Sequence, residues 1–349
     1  MLKRITMLAG LAVLALALAS TAAATTSQKG STLTISGAGS TFVAPLVSSW
    51  VEPYDALTGV HVNYNPVGSG AGIAAITNRS VDFGASDAPM TPDQFRACNG
   101  CVQIPWALAS TAVAYNLPGV KDHLHLDGKT LAKIYLGQIT KWNDPAIAKL
   151  NKGVSLPSTD ITPIFRSDGS GTTYNFTDYL TNVSADFATK VGKGTQVNFP
   201  AGTSGKGSSG VSAVLSRTPG GICYVDVAYA TVTNHFQTFV MLNKAGKYVA
   251  PGIAGAVAAA GTVTKASIPA DNSISIVNPP KSQAAAYPIS TFTFVILPTK
   301  DANAAALRKF VFWALTGGAK LSTTSQLLFA PMPQVVIHAA EVTLKKIQS

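Results

Sequence analysis

Residues 165–180 read FRSDGSGTTYNFTDYL. The run just before, ITPIF (161–165), is short, apolar and contains β-branched residues, which predicts a buried strand. After the turn, Tyr174, Phe176, Tyr179 and Leu180 are spaced to line one side of a helix. Between strand and helix stand Arg166, Ser170, Gly171 and Thr172. A helix start presents unpaired N–H groups and a positive dipole end, glycine allows close backbone approach, and hydroxyls add donors. The stretch is therefore suited to holding an anion.

The pattern recurs. Extended runs lead into Gly/Ser-rich turns before helices at ISGAGSTF (35–42) and PVGSGAGI (66–73), and a further strand ends in GASDAPM (84–90), placing Ser86 and Asp87 at its end. In open α/β sheets such turns gather at the carboxyl ends of strands, where ligands bind. Strand-like runs (TLTIS, VHVNYN, VDFGAS) alternate with helical segments near 42–57 and around Ile73. From Val113 a second set follows: TAVAYNL, the helical KTLAKIYLG, ITPIF and GGICYVD. A Gly/Ala-rich tract spans about 252–261, and STFTFVILP and DANAAALRKFVFWALT read as a late strand and amphipathic helix. The alternation predicts an α/β architecture, and no tandem repeat of fixed period is visible.

Several other chemistries fail on their motifs. GAGSTF lacks the third glycine of a dinucleotide fingerprint, and GSGAGI has the wrong spacing. GTSGKGSS (202–209) resembles a nucleotide P-loop only superficially, because Gly207 follows Lys206 where Ser or Thr would hold magnesium. No histidine lies in a recognisable nucleophile–base arrangement, so a hydrolase has no support. No metal site and no cofactor are expected, and the His123/His125 pair in DHLHLDG reads as an exposed turn.

The chain opens MLKRITMLAGLAVLALALASTAAATT, with basic, apolar and then small residues. This is the pattern of a secretory signal peptide cut after Ala24, leaving 325 of the 349 residues exported. The net charge of +10 falls to +8 without Lys3 and Arg4. The chain has no dense Lys/Arg block and no basic–aromatic interleaving, which argues against nucleic acid and for a solvated basic surface. Cys98 and Cys101 form CNGC, which can be redox-active, half of a zinc site or a small disulfide. In an oxidising compartment a local disulfide is favoured, with Cys223 a buried free thiol.

GAGSTFVAPLVSSW, VNYNPVGSGAG, VDFGASDAPM, LDGKTLAKIYLGQITKWNDPAIAKLN and RSDGSGTTYNFTDYL, in this order, closely resemble the periplasmic phosphate-binding protein of the high-affinity phosphate ABC transporter. GGICYVDVAYA and YPISTFTFVILP continue the resemblance, which is weakest between about 247 and 282 and at the C-terminus. It implies a two-lobed α/β periplasmic binding protein, type II-like, each lobe a mixed sheet flanked by helices, with the ligand in the cleft between them. Lobe I would combine 25–115 with 287–349, and lobe II would be 116–286. Carried over by position, the phosphate ligands fall on Thr41, Phe42, Ser69, Asp87, Arg166, Ser170, Gly171 and Thr172, with Asp168 orienting the arginine. The implied role is a monomeric, non-enzymatic receptor that hands inorganic phosphate to membrane permease subunits.

Elementary chemistry gives these positions distinct tasks. Phe42 and Gly171 contribute backbone N–H groups, and Thr41, Ser69, Ser170 and Thr172 contribute hydroxyls. Arg166 supplies a planar charged fork suited to oxyanions. Asp87 repels a bare anion but accepts a proton from phosphate, which sulfate cannot offer. A receptor for another tetrahedral oxyanion such as arsenate, phosphite or sulfate (the last opposed by Asp87), a serine hydrolase and a surface adhesion protein are the competing readings.

Overall fold

Apolar runs of alternating length and period set the element order of the computed structural model, which describes residues 33–120 and 123–349. The proposed leader, 1–24, lies outside the described residues. The first part of the chain alternates β1 (Thr34–Gly39), α1 (Ala44–Thr58), β2 (His61–Asn65), α2 (Ser69–Thr77), β3 (Phe83–Ser86) and α3 (Pro92–Cys98). Then come β4 (Cys101–Asn116), β5 (His125–Leu126), α4 (Gly128–Tyr135), α5 (Pro145–Leu150), β6 (Thr162–Arg166), α6 (Gly171–Val183) and α7 (Ala185–Lys190). Next follow β7 (Thr203–Gly205), α8 (Gly207–Ser216), β8 (Gly221–Asp226), β9 (Gln237–Thr238), β10 (Val240–Leu242) and β11 (Tyr248–Val249). The chain closes with α9 (Ile253–Ala260), β12 (Ser290–Pro298), α10 (Ala304–Leu315), α11 (Ala319–Ser322) and α12 (Gln334–Leu344).

Local chemistry fixes the boundaries. In α1, Leu46, Val47, Trp50 and Tyr54 form one buried stripe, and Gly59 ends the helix in the left-handed region, its N–H bonded to the Asp55 carbonyl. Ser170 caps α6 by accepting the Thr173 N–H at 3.2 Å, and Asp127 caps α4 through the Thr130 N–H at 2.7 Å. The Gly/Ala-rich tract becomes α9, whose Ala256, Ala259 and Ala260 are buried.

The main sheet runs β2-β1-β3-β12-β4-β8-β6-β7. β2, β1 and β3 are mutually parallel, as are β8, β6 and β7, while β12 is antiparallel to β3 and β4. β4 joins the two groups. Its Cys101–Ser110 part pairs with β12, and Thr111–Asn116 pairs antiparallel with β8. The two halves therefore mirror one another: β1 corresponds to β6, β2 to β7, β3 to β8, and the helices α1, α2 to α6, α8. A second, three-stranded sheet orders β11-β10-β5. The larger apolar clusters respect this division, one drawing on residues 35–109 and 295–347, the other on 113–289. Trp50, Trp106 and Phe310 interlock edge-to-face in the first, and Phe176 stacks on Tyr224 at 4.2 Å in the second.

Cys98 and Cys101 are joined by a disulfide, with Arg79 Nη1 3.3 Å from each sulfur, and Cys223 is free and buried, its thiol pushed well up by that burial. His123 is exposed in a left-handed turn, but His125 is not part of it. Its strand β5 pairs with β10, and its ring stacks on Tyr248 at 4.0 Å. Among the described residues no group of three or more His, Cys, Asp or Glu could hold a metal ion.

Candidate functional site

The carboxyl ends of β1 and β6 meet across the junction of the two halves. After β1, Ser40 turns its hydroxyl inward, donating to Asp87 Oδ1 at 2.5 Å and accepting the N–H groups of Phe42 (3.0 Å) and Val43 (3.3 Å). The Phe42 N–H is thus held by Ser40, while its ring is buried in the core against Phe329. Thr41 Oγ1 lies 3.0 Å from Ser208 Oγ on the opposite half. Ser69 opens α2, and its oxygen accepts the Asp87 N–H at 3.3 Å.

From the other half, Arg166 is buried at the end of β6. Its Nε donates to Asp168 Oδ1 at 2.7 Å and its Nη2 to Oδ2 at 2.5 Å, a two-point pair that leaves Nη1 without a partner among the described residues. The Arg166 N–H is in turn accepted by the Tyr224 hydroxyl at 3.1 Å. α6 starts hard against the Asp87 backbone: a Cβ at Gly171 would stand 2.5 Å from the Asp87 nitrogen, so only glycine fits. Thr172 Oγ1 reaches Asp87 Oδ2 at 3.5 Å, and Asn175 Nδ2 donates to the Asp87 carbonyl at 2.8 Å. Gly70 N donates across the junction to the Gly169 carbonyl at 2.8 Å.

Asp87 is the meeting point, contacted by or electrostatically coupled to Ser69, Arg166, Gly171 and Thr172 of the expected set. Thr41 enters through Ser208, Phe42 through Ser40, and Ser170 as the cap of α6. Ser40, Asn175, Ser208 and Asp226 are additional. Ser40 and Ser208 sit inside motifs that the sequence displays, but their type alone does not separate them from ordinary turn hydroxyls.

The electrostatics are lopsided. Burial raises the Asp87 carboxyl to about 6, against the lowering effects of the Ser40 hydrogen bond, Arg166, Thr172 and Ser69. Burial raises Asp226 to about 7, opposed by the Tyr229 N–H and Arg166 and reinforced by the charge of Asp87; its Oδ2 has no partner. Burial would also raise Asp168, but the hydrogen bond and charge of Arg166 and the Gly207 N–H outweigh it, so this carboxyl is lowered. The starts of α2, α6 and α8 reach the junction: Gly70 N donates to the Gly169 carbonyl, Gly207 N to Asp168 Oδ1 and Ser208 N to Thr41 Oγ1, and α6 begins against the Asp87 backbone. One arginine, several hydroxyls and helix starts are gathered here beside three carboxyls, a donor set chemically suited to an oxyanion.

A family model describing a PBP superfamily domain matches residues 19–317. The chain is 39% identical over 311 residues to the phosphate-binding protein PstS of Xylella fastidiosa (strain Temecula1), covering 88% of this chain and 84% of that one. It is 38% identical over 317 residues to PstS of Pasteurella multocida, covering 89% and 90%. Among solved structures, a high-affinity periplasmic phosphate-binding protein (PfluDING) bound with phosphate at pH 8.5 superposes with a TM-score of 0.70 at 21% identity, over 89% of this chain and 93% of that one. A phosphate-binding protein from Stenotrophomonas maltophilia gives 0.67 at 19%, over 88% and 93%. The fold is that of the two-lobed periplasmic binding proteins, an α/β mixed sheet with helices on its faces. The chain belongs to the PstS family of that superfamily.

Proposed function

We propose that this protein is an extracytoplasmic receptor that captures inorganic phosphate between two lobes and delivers it to the permease of a phosphate ABC transporter. The observation that carries the reading is the buried Arg166 guanidinium, held by half-buried Asp168 and electrostatically coupled to buried Asp87 between helix starts. Arg166 Nη1, the hydroxyls of Thr41, Ser69, Ser170 and Thr172, and the N–H groups of Phe42 and Gly171 donate to phosphate oxygens. For the Phe42 N–H this means release from Ser40, and Ser40 then keeps Asp87 Oδ1 occupied so that Oδ2 receives the ligand's proton. A charge-assisted bond of this kind is worth about 1.5–3 kcal/mol net, and for sulfate the same oxygen is an unpaired acceptor.

The lobes are 25–115 with 287–349, and 116–286, swinging where β4 exchanges β12 for β8; the separate apolar clusters support this division. The protein acts as a monomer, without nucleic acid, cofactor or catalysis, in the periplasm after loss of residues 1–24. Among the described residues no helix is long and apolar enough to cross a membrane. Calorimetric titration with phosphate, arsenate and sulfate, beside a phosphatase assay, tests the reading. Tight phosphate binding, weak sulfate binding and no phosphate release from esters are expected; absence of phosphate binding overturns it.

A further inference from the structure

The mirror relation of the two halves carries a consequence for Ser208. β2 leads through Gly68 into α2, which opens with Ser69; β7 leads through Lys206 into α8, whose second residue is Ser208. Ser208 thus stands in the first turn of α8 as Ser69 does in the first turn of α2, one residue further along, and both are buried at 1% exposure. Unlike Ser69, it engages a residue of the opposite half directly. Its N–H donates to Thr41 Oγ1 at 3.2 Å and its Oγ lies 3.0 Å from the same oxygen. The neighbouring Gly207 N–H donates to Asp168 Oδ1 at 2.9 Å, which pins the start of α8 to the arginine fork. Gly207 holds a left-handed φ of 69°, which turns two successive N–H groups to different partners on the two sides of the junction.

We infer that Ser208 is a positioning residue, clasping Thr41 across the cleft so that the Thr41 hydroxyl is committed to donating to the bound anion. This rests on the phosphate reading above. A hydroxyl has one proton and two lone pairs. The Ser208 N–H occupies one lone pair of Thr41, and the Ser208 O–H, donating, occupies the other. The Thr41 proton is then left for the ligand, and an anionic acceptor makes that arrangement the stronger one. The clasp forms only when the halves meet, so it adds to retention of the ligand more than to its capture.

Phosphate affinity and stopped-flow release rates are measured for wild type, Ser208→Ala, Thr41→Val and the double variant, with thermal melts to establish folding. Ser208→Ala is expected to raise Kd about tenfold, almost wholly through faster release, and to change Kd less than about twofold in the Thr41→Val background. Ser208→Thr is expected to stay within about threefold of wild type, because it restores the donor. If the alanine variant does not fold, Ser208→Cys, a weak donor, is read in its place. Additive effects with Thr41→Val, an unchanged Kd, or a change confined to association overturns the clasp while phosphate binding by wild type stands. Wild-type protein that does not bind phosphate overturns the underlying reading and the clasp together.

Discussion

Asp87 and Asp226 stand at matching places in the two halves, at the ends of β3 and β8, each strand lying beside a long antiparallel neighbour. Both are buried to 1% exposure and both carboxyls are raised, to about 6 and about 7. Their surroundings differ. Asp87 is met by Ser40, Ser69 and Thr172, whereas Asp226 accepts one N–H, from Tyr229 at 2.8 Å, and keeps a buried oxygen with no partner. Opposite it in the β4–β8 register is Thr111, whose hydroxyl is likewise unpartnered. Burial dominates both aspartates, and the larger set of local donors opposes it more strongly at Asp87 than at Asp226.

Arg166 lowers both carboxyls, so removing it strains the comparison most. Arg166→Ala should cost about 2–5 kcal/mol of phosphate binding, at least about a 30-fold rise in Kd by calorimetry. Arg166→Lys should recover only part, since an ammonium cannot span Asp168 and the ligand as the fork does. Near-native affinity in the alanine variant would remove Arg166 from the site.

The next effect is on stability against pH. A carboxyl raised in the folded state binds its proton more tightly there than in the unfolded chain. Its stabilising contribution is complete below about pH 4 and is lost as pH rises through the folded value, here about 7 for Asp226. At ~1.4 kcal/mol for each pH step of the shift, the loss reaches a few kcal/mol at most. Phosphate-free Asp226→Asn should therefore show a flatter melting temperature between pH 4 and 7 than wild type. Asp87 works in the same sense up to about 6, while lowered Asp168 works oppositely, its contribution lost as pH falls below the ordinary carboxylate range. A wild-type profile that rises steadily from pH 4 to 7 and is unaltered by Asp226→Asn would contradict this.

Asp87→Asn sharpens the comparison by changing selectivity. The amide can turn its NH₂ toward an unprotonated oxygen, so the phosphate-to-sulfate affinity ratio should shrink by roughly 10- to 100-fold, the worth of one charge-assisted bond of about 1.5–3 kcal/mol. Competition titrations at matched ionic strength measure it, since screening alters anion binding. An unchanged ratio would mean that Asp87 does not sense the ligand's proton. The smallest effect on phosphate binding is expected at the other end of β4. Opening the Cys98–Cys101 link with Cys98→Ser and Cys101→Ser together removes a very short loop, worth about 2 kcal/mol of stability in the chain-entropy picture, and should leave phosphate affinity within about twofold.

Much of this was legible in the residues. The Gly/Ser turns after β1, β2 and β6 carry both the helix-start pattern and the donors, so Ser69, Arg166 and Ser170 announce themselves. Ser208 does not, because GTSGKGSS fits no complete phosphate motif and its partner Thr41 is 167 residues away. Asp226 ends an apolar strand, where a single acid looks like a boundary residue. The extent of β4 was hidden too. Pro105 and the change of partners after Ser110 interrupt the alternation that marks a single strand, so only the stretch from Thr111 reads clearly. The mirror relation of the halves escapes any search for a fixed period, since α4, α5 and long loops separate β4 from β6.

The place of β12 bears on how the molecule assembles. It lies between β3 and β4, and its residues 290–298 are about 200 positions beyond β3 in the chain. A chain appearing N-terminus first holds β3 and the Cys101–Ser110 part of β4 with open edges until almost the whole length is available. Closing so long a loop costs about 5 kcal/mol of chain entropy before the first core, built from 35–109 and 295–347, can form. The second core needs only 113–289 and is under no such delay. Loop-closure entropy therefore predicts assembly ordered against the sequence: the arginine half settles early, and the half that holds Asp87 is completed last, by a strand from near the C-terminus. Long-range pairing of this kind slows folding and leaves exposed strand edges that a chain in transit must keep from pairing elsewhere.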